Sequence, residues 1–353
     1  MSTKDPIQNT LADLVAGHPM PAPEAFETMR RMLEGELDDA QIGALLALLA
    51  VRDPDPDELV GAATAMRQRV TPVPYEPAEG ESLIDTCGTG GAPKTFNVST
   101  AAAITAAAVT PPEGSGVSRI VVAKHGNRSR TGRGSAEVLL ALGVNLDASP
   151  EQQAACLTEA GVCFCFAVNH HPAMKHAIGP RRALAFPTIF NLLGPITNPA
   201  GATRQLIGVS QQRHVALLAI TLARLGTPHA RIVHGRNGLD EITTTAPADV
   251  AVVRGSTVHH ETIDPGELGL DAAEIESIRV EGVEESADLL RSIFRGEPGP
   301  AADTVALSAG AALVVADVAS TMQEGLTLAR EALGSGAVLS TLERLAEVSH
   351  RPA

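Results

Sequence analysis

The sequence predicts an α/β protein, in which a small all-helical domain joins a larger α/β domain with a mainly parallel central sheet flanked by helices. Three observations favour this class. The chain has 353 residues, more than twice the usual domain size of about 150 residues. Residues 5–70 place apolar side chains at spacings of three and four, as helices do. Beyond residue 80, short apolar runs alternate with helical stretches, which is typical of parallel strands joined by helices.

The N-terminal elements are predicted to be helices. Residues 42–51 are nearly all Ala, Leu and other apolar types, which indicates a helix buried on most sides. Asp38 and Asp39 stand at its expected N-cap, and Pro56 is placed to begin the next helix. The Pro-rich residues 71–77 predict an extended linker after this helical module.

The remaining elements alternate in type. Strands are expected at 83–84, 120–123, 162–168, 230–233 and 250–253, and helices at 99–109, 136–142, 215–225 and 322–333. Residues 172–199 lack strand character, so we expect them to pack back on the N-terminal helices. We therefore predict a helical domain of residues 1–75 plus about 172–200, and an α/β domain of residues 80–170 plus about 201–353.

Composition excludes several classes of partner. The net charge of −14 opposes binding to nucleic acid, and aromatic residues, which stack on bases, make up 2% of the chain. No apolar stretch is long enough to predict a membrane span, and no targeting segment is visible, so we expect no membrane partner. The four cysteines lack paired zinc-site spacing and indicate buried, reduced thiols, which favours a cytoplasmic location.

A glycine-rich turn over residues 85–100 leaves a predicted strand and enters a predicted helix. Its glycines permit close backbone approach to a ligand, and the helix start offers free N–H groups, so it predicts an anion site. A nucleotide-binding P-loop is disfavoured because Pro93 stands where that loop has its second glycine. The dinucleotide fingerprint fails at its third glycine, while a purely structural turn stays open.

A basic cluster over residues 124–137 also follows a strand. Cations at the carboxyl end of a strand predict an anion pocket, although a solvated loop is the alternative.

Adjacent carboxylates at Asp240 and Glu241 fit a hydrated Mg²⁺ beside phosphates, or else an ordinary solvated loop. His170 and His171 have no third ligand at metal spacing, so a structural or substrate-edge role is favoured. Either Arg181 or the adjacent Arg182 offers a planar fork to a carboxylate.

These stretches together resemble the anthranilate phosphoribosyltransferase family over nearly the whole chain. The matching motifs, in order, are Gly88-Thr-Gly-Gly91, Asn97-Val-Ser-Thr100, Lys124-His-Gly-Asn-Arg128, His171-Pro-Ala-Met-Lys175, Asn191-Leu-Leu-Gly-Pro195 with Asn198-Pro199, and Gly238-Leu-Asp-Glu241. A single motif of this length occurs by chance in unrelated sequences, whereas six in the same order are specific for the family. The resemblance implies transfer of phosphoribose from 5-phosphoribosyl-1-diphosphate to anthranilate in tryptophan biosynthesis, with Mg²⁺ as cofactor and a homodimer as the assembly.

The resemblance also implies site residues. Those expected to hold the phosphoribosyl donor are Gly88, Gly91, Thr95, Asn97, Ser99, Thr100 and Lys124. Anthranilate is expected at Gly88, Asn127 and Arg181, and the metal at Ser99, Asp240 and Glu241. No residue is expected to act as a catalytic acid or base, because a neutral aromatic amine needs no strong base.

This chain departs from the family pattern near the expected diphosphate. Ala92 stands where the family usually has an aspartate, the loop that follows is shorter, and Glu137 replaces a usual Asp. Two alternatives remain at this stage. A pyrimidine-nucleoside phosphorylase shares the architecture, but the acidic pair and Arg181 argue against it. A non-catalytic nucleic-acid-binding relative is opposed by the charge of −14 and the intact pair.

Overall fold

The computed structural model describes residues 5–93, 95–128, 132 and 134–352. Lys94 of the glycine-rich turn, and residues 129–131 and 133 of the basic cluster, lie outside the described residues. The N-terminal module contains helices α1 (Pro6–Val15), α2 (Ala22–Leu33), α3 (Asp39–Arg52) and α4 (Pro56–Arg67). Asp38 is the N-cap of α3 and forms a capping box with Gln41, and Pro56 begins α4, so both predicted helix starts are confirmed.

The central sheet has seven strands in the order β3-β2-β1-β4-β5-β6-β7. The strands are β1 (Glu81–Gly88), β2 (Arg119–Gly126), β3 (Val162–Phe166), β4 (Arg204–Gly208), β5 (His229–Gly235), β6 (Ala248–Arg254) and β7 (Thr257–Ile263). Neighbours from β3 to β5 pair in parallel, whereas β6 and β7 add antiparallel partners at one edge. The predicted mainly parallel sheet, flanked by helices and preceded by a helical module, is confirmed.

Helices occupy both faces of the sheet. They are α5 (Val98–Ala108), α6 (Ser135–Ala141), α7 (Pro150–Ala160), α8 (Ala167–His170), α9 (Lys175–Leu184), α10 (Ile189–Leu193), α11 (Arg213–Arg224), α12 (Val283–Phe294), α13 (Pro300–Val315), α14 (Met322–Ser335) and α15 (Ala337–Ser349). The predicted strand at 162–168 was too long, because β3 ends at Phe166 and α8 begins at Ala167. Strands β4 and β7 were not predicted. No helix of the described residues is long and apolar enough to cross a lipid bilayer.

Apolar side chains form a core on each face of the sheet. On one face, α13 packs against α5 and α14, and α15 packs against α5 and α7. On the other face, Ile207, Ile232 and Ala251 point toward α11 and the helical module, because alternate residues of a strand face opposite sides. Helix α9 contacts α2 and α3, and α10 contacts α3 and α4. The chain therefore returns to its N-terminal helices between β3 and β4.

Candidate functional site

The predicted site residues gather where parallel strands end. Gly88 is the last residue of β1, Lys124 lies near the end of β2, and the segment with Asp240 and Glu241 follows β5. The first turn of α5 and the segment around α9 and α10 adjoin these strand ends. Open α/β sheets bind ligands at this edge, because the loops that leave parallel strands converge there.

The glycine-rich turn is folded against the end of β4. The Thr89 amide donates to Gly208 O at 2.9 Å, and the Ser210 hydroxyl donates to Gly90 O at 3.0 Å. Gly90 and Gly91 have φ values of 66° and 96°, a left-handed conformation that favours glycine. Gly88 is exposed at the entrance of this turn. At these glycines the turn can offer only backbone groups to a ligand.

The residues before and within the first turn of α5 differ in how far they reach the surface. Thr95, Asn97 and Ser99 are partly exposed, and the Ser286 hydroxyl of α12 donates to Asn97 Oδ1 at 2.9 Å. Thr100 is fully buried behind them, and within the described residues its Oγ1 has no hydrogen-bond partner. Asn97 is therefore held in place by α12, whereas Thr100 lies beneath the surface of the site.

Lys124 places a buried ammonium group between β1 and α5. Its side chain is 3% exposed, and Nζ donates to Thr86 O at 2.6 Å and to Ser99 Oγ at 3.2 Å. Burial lowers the pKa of Lys124, while the nearby carboxylates of Asp85 and Glu241 oppose that shift. A cation in this position would stabilise a polyanion bound at the helix start.

The acidic pair lies across β4 from the glycine-rich turn. Gly208 permits this, because a Cβ there would stand 1.8 Å from Asp240 O, a distance that no side chain tolerates. A Cβ at Gly88 would stand 3.4 Å from Asp240 Oδ2, so the Asp240 carboxylate faces the end of β1. The segment crosses the strand end closely, and Gly208 is a site residue that the sequence analysis did not name.

Glu241 joins the acidic pair to α5. Its Oε1 accepts a hydrogen bond from the Ser99 amide at 3.3 Å. Burial and the charge of Asp240 raise the pKa of Glu241 to about 8, and Lys124 opposes this shift. The two adjacent carboxyl groups and the Ser99 hydroxyl are hard oxygen donors of the kind that Mg²⁺ prefers. Within the described residues, no group of three or more His, Cys, Asp or Glu side chains forms a complete metal site.

Arg181 and Arg182 differ in their surroundings. The Arg181 guanidinium carbon lies 4.9 Å from the centre of the Phe190 ring, and burial lowers the pKa of this arginine. Arg182 is exposed. Asn191, next to Phe190, donates from Nδ2 to Thr89 O at 3.3 Å, which links this wall to the glycine-rich turn. Of the two arginines, Arg181 is the one fixed near the turn.

Asn127 lies on the loop after β2 and is exposed, with Oδ1 accepting the Arg128 amide at 2.8 Å. The contacts of this side chain within the described residues do not join it to Arg181. The Arg128 guanidinium carbon lies 5.6 Å from the centre of the Phe166 ring, so this loop is fastened to the end of β3.

His125 and His171 form a buried pair beneath the site, and the sequence analysis did not predict that they contact each other. His125 Nδ1 lies 2.9 Å from Gly194 O, and its Nε2 lies 3.3 Å from His171 Nε2. Burial lowers the pKa of His125 to about 3 and that of His171 to about 4, so both rings are neutral at pH 7. His170 instead has Nδ1 2.7 Å from Thr71 O and Nε2 2.8 Å from Gln153 Oε1, contacts that favour the structural one of its two expected roles. Motif position marked His125, but sequence spacing gave no sign of its pairing with His171.

Two family models match consecutive parts of the chain. Residues 8–70 match the helical bundle domain of the glycosyl transferase family, and residues 80–339 match its a/b domain. The anthranilate phosphoribosyltransferase of Thioalkalivibrio sulfidiphilus is 47% identical over 91% of this chain and 92% of its own length. That of Chromobacterium violaceum is 43% identical over 98% of both chains.

Solved structures agree. The anthranilate phosphoribosyltransferase of Thermus thermophilus has a TM-score of 0.86 and 39% identity, covering 97% of this chain and 99% of that one. The enzyme of the same name from Saccharomyces cerevisiae, solved in complex with PRPP and Mg, has a TM-score of 0.85 at 22% identity over 98% of both chains, and shares the fold. From its fold, its site and these relatives, this chain belongs to the anthranilate phosphoribosyltransferases of the glycosyl transferase family.

Proposed function

We propose that this protein transfers phosphoribose from 5-phosphoribosyl-1-diphosphate to the amine of anthranilate and releases diphosphate, a step of tryptophan biosynthesis. The observation that carries the proposal is the contact chain from Lys124 through Ser99 to Glu241, which places a cation, a hydroxyl and a carboxylate at the start of α5. The relatives support the transferase over a nucleoside phosphorylase or a nucleic-acid-binding protein.

The donor would lie between the glycine-rich turn and α5. Gly88 and Gly91 are exposed and would offer backbone groups to the donor. The side chains proposed to hold the phosphates are Thr95, Asn97, Ser99 and Lys124. Thr100 would support Ser99 from behind, since its side chain is buried. The positive dipole end of α5 favours a bound phosphate.

Asp240, Glu241 and Ser99 would hold Mg²⁺ together with oxygens of the donor. The ion, when bound, supplies positive charge that neutralises the departing diphosphate. Burial and the charge of Asp240 raise the pKa of Glu241, and a bound cation would oppose both effects by favouring the charged carboxylate. The PRPP and Mg complex of the Saccharomyces cerevisiae protein, a fold neighbour, supports the same cofactor.

The chemistry needs electrostatic stabilisation more than proton transfer. The ribose C1–O bond breaks, positive charge develops on the sugar, and the diphosphate leaves with the bonding electron pair. Lys124 stabilises that negative charge, which is greater in the transition state than in the bound donor. The anthranilate nitrogen forms the new bond to C1 and then releases its extra proton to water. Neither His125 nor His171 is proposed as the acceptor of that proton.

Anthranilate would lie between the glycine-rich turn at Gly88, the loop with Asn127, and Arg181. The Phe190 ring lies against the Arg181 guanidinium, whose planar fork of N–H groups suits a carboxylate. Asn127 would offer its side-chain amide, because it is exposed on the loop after β2.

A homodimer is proposed through the outer face of the helical module. Helix α3 turns Ala44 and Val51 outward, and Val51 is 88% exposed, while Val15 at the end of α1 is 73% exposed. Helices α1 and α3 contact each other, so these side chains lie on adjoining helices. Exposed apolar side chains on such a face favour a second copy of the chain.

The division into domains and the location are also proposals. Residues 1–75 with about 172–200 would form the helical domain, and residues 80–170 with about 201–353 the α/β domain, which agrees with the packing of α9 and α10 on α2, α3 and α4. All four cysteines are free and buried, which supports a reducing location such as the cytoplasm.

A fluorescence assay tests the transferase proposal. Anthranilate fluorescence should fall only when the donor and Mg²⁺ are both present, and Asp240→Asn should weaken the activation by Mg²⁺. A folded protein that leaves anthranilate unchanged over a range of Mg²⁺ concentrations would contradict the proposal. An electrophoretic shift experiment with DNA and RNA checks the nucleic-acid-binding alternative.

A further inference from the structure

Strands β1 and β2 stop pairing before either of them ends. Their register runs to Ile84 opposite Val122. By contrast, β1 pairs with β4 up to Gly88, and β2 pairs with β3 up to Gly126. The interruption therefore belongs to the junction of β1 with β2 and not to the sheet edge as a whole.

Two buried side chains supply hydrogen bonds at this interruption. In a continued parallel ladder, Thr86 would stand opposite Lys124, and the His125 amide would donate to Thr86 O. Instead, the His125 amide donates to Asp85 Oδ1 at 3.0 Å. Thr86 O accepts the Lys124 ammonium at 2.6 Å.

Asn198 completes the arrangement. Its Nδ2 donates to Asp85 Oδ2 at 2.9 Å and to Ala123 O at 2.7 Å. Its Oδ1 accepts the Ala200 amide at 2.9 Å, which fixes the orientation of the amide group. Asp85 and Asn198 are both buried, so each of these bonds forms away from water.

Both peptide groups that flank Lys124 are held by this pair. Ala123 O belongs to the peptide before Lys124, and the His125 amide belongs to the peptide after it. Burial raises the pKa of Asp85, and the Lys124 ammonium opposes that shift, so the two charges lie near each other. The backbone of the lysine and the acceptor of its ammonium are thus set by one network.

We propose that Asp85 and Asn198 are positioning residues, which replace hydrogen bonds of the interrupted ladder and so leave the Thr86 carbonyl to hold the Lys124 ammonium beside Ser99. The inference rests on the proposed function for its kinetic consequence. It goes beyond that function because neither residue is placed in contact with a substrate. It predicts that the pair controls affinity for the donor, and not affinity for anthranilate.

Exchanging the two residues provides a directional test. In Asp85→Asn, an NH₂ group replaces one of the two carboxylate oxygens. Whichever way the new side chain is turned, that NH₂ group faces another donor, either Asn198 Nδ2 or the His125 amide. Asn198→Asp puts a carboxylate opposite both Asp85 and Ala123 O. The double variant Asp85→Asn/Asn198→Asp restores the bond between the side chains and the acceptor for His125, although Ala123 O loses its donor. The double variant should therefore recover part of the diphosphate affinity that each single variant loses.

Two quantities are measured. Titration calorimetry gives the affinity of each variant for inorganic diphosphate in the presence of Mg²⁺, and steady-state kinetics give the KM for each substrate. Each single variant should weaken diphosphate binding and raise the donor KM roughly tenfold, with the anthranilate KM within about twofold. Gln153→Ala is the matched control, because it also removes a buried amide that donates to a main-chain carbonyl, Ala148 O, at 3.0 Å. It should lower thermal stability without changing diphosphate binding.

Several outcomes would overturn the proposal. They are equal shifts of the donor and anthranilate constants, a double variant no better than the singles, or a Gln153→Ala variant that also loses diphosphate affinity. If Asp85→Asn does not fold, Asn198→Ser, which leaves a small hydroxyl, carries the same comparison. Absence of turnover in the unmodified protein would reject the transferase alone. Crystal structures would then decide the positioning role, which requires the Lys124 ammonium to leave Thr86 O in the Asn198→Ser variant.

Discussion

Replacing Arg181 by alanine should separate the two substrates kinetically. The guanidinium is half-buried and its carbon lies 4.9 Å from the Phe190 ring centre, so a cation–π contact holds it beside the ring. A hydrogen bond to a charged group contributes about 1.5–3 kcal/mol, which corresponds to a roughly ten- to hundredfold rise in the anthranilate KM. The donor KM should change by less than about twofold, because the phosphate-binding groups proposed above lie on the glycine-rich turn, α5 and β2.

The adjacent residue supplies the control. Arg182 is exposed and has the same charge, so Arg182→Ala keeps the net charge of the Arg181→Ala variant while leaving the carboxylate contact in place. Arg181→Lys keeps the positive charge but loses the planar fork of N–H groups. Its anthranilate KM should therefore lie between those of Arg182→Ala and Arg181→Ala. Initial rates from anthranilate fluorescence, varied against each substrate, give the constants. If Arg182→Ala matched Arg181→Ala, or if both KM values rose together for Arg181→Ala, the assignment of the carboxylate contact would be wrong.

Four further changes have defined outcomes. Asp240→Asn should raise the Mg²⁺ concentration needed for half-maximal rate and lower kcat/KM for the donor, with anthranilate affinity nearly intact, as rates at varied Mg²⁺ will show. Gly208→Ala should abolish most activity while the protein still folds, since the new Cβ would meet Asp240 O at 1.8 Å; circular dichroism and turnover check this. Because the pKa of His171 falls to about 4 on folding, stability should be full above about pH 6.5 and decline as pH falls toward 4. Denaturant titrations should show a shallower decline for His171→Gln. Val51→Asp should convert a dimer into a monomer in sedimentation experiments, because it puts a charge on the proposed apolar interface.

Local signals explain why the helical module could be predicted closely. Asp38 and Pro56 are residues that begin helices by their own chemistry, whatever surrounds them, and α3 and α4 begin where they indicate. Strand β7 gave no such signal, because Thr257–Ile263 is a polar strand at the edge of the sheet and lacks a continuous apolar run. Strand β4 is short and carries Gln205 in a buried position, which hides its strand character.

The site was only partly predictable for a related reason. Glycines, cations and carboxylates close together along the chain, such as Asp240 and Glu241, mark a site by their residue types. Gly208 matters because a distant segment crosses it, and Asn198 matters because it reaches β1 and β2. Such roles depend on contacts between residues far apart in sequence, which the chemistry of a short motif does not encode.

The return of the chain to its N-terminal helices affects the order of folding during synthesis. Helices α9 and α10 contact α2, α3 and α4, but they are translated only after β1, β2 and β3. The first four helices therefore leave the ribosome without the partners that cover part of their apolar surface. Contacts of such sequence separation form slowly, and the exposed surface in the interval favours association with chaperones or with other nascent chains. A truncated chain that ends before residue 172 would keep this surface uncovered permanently.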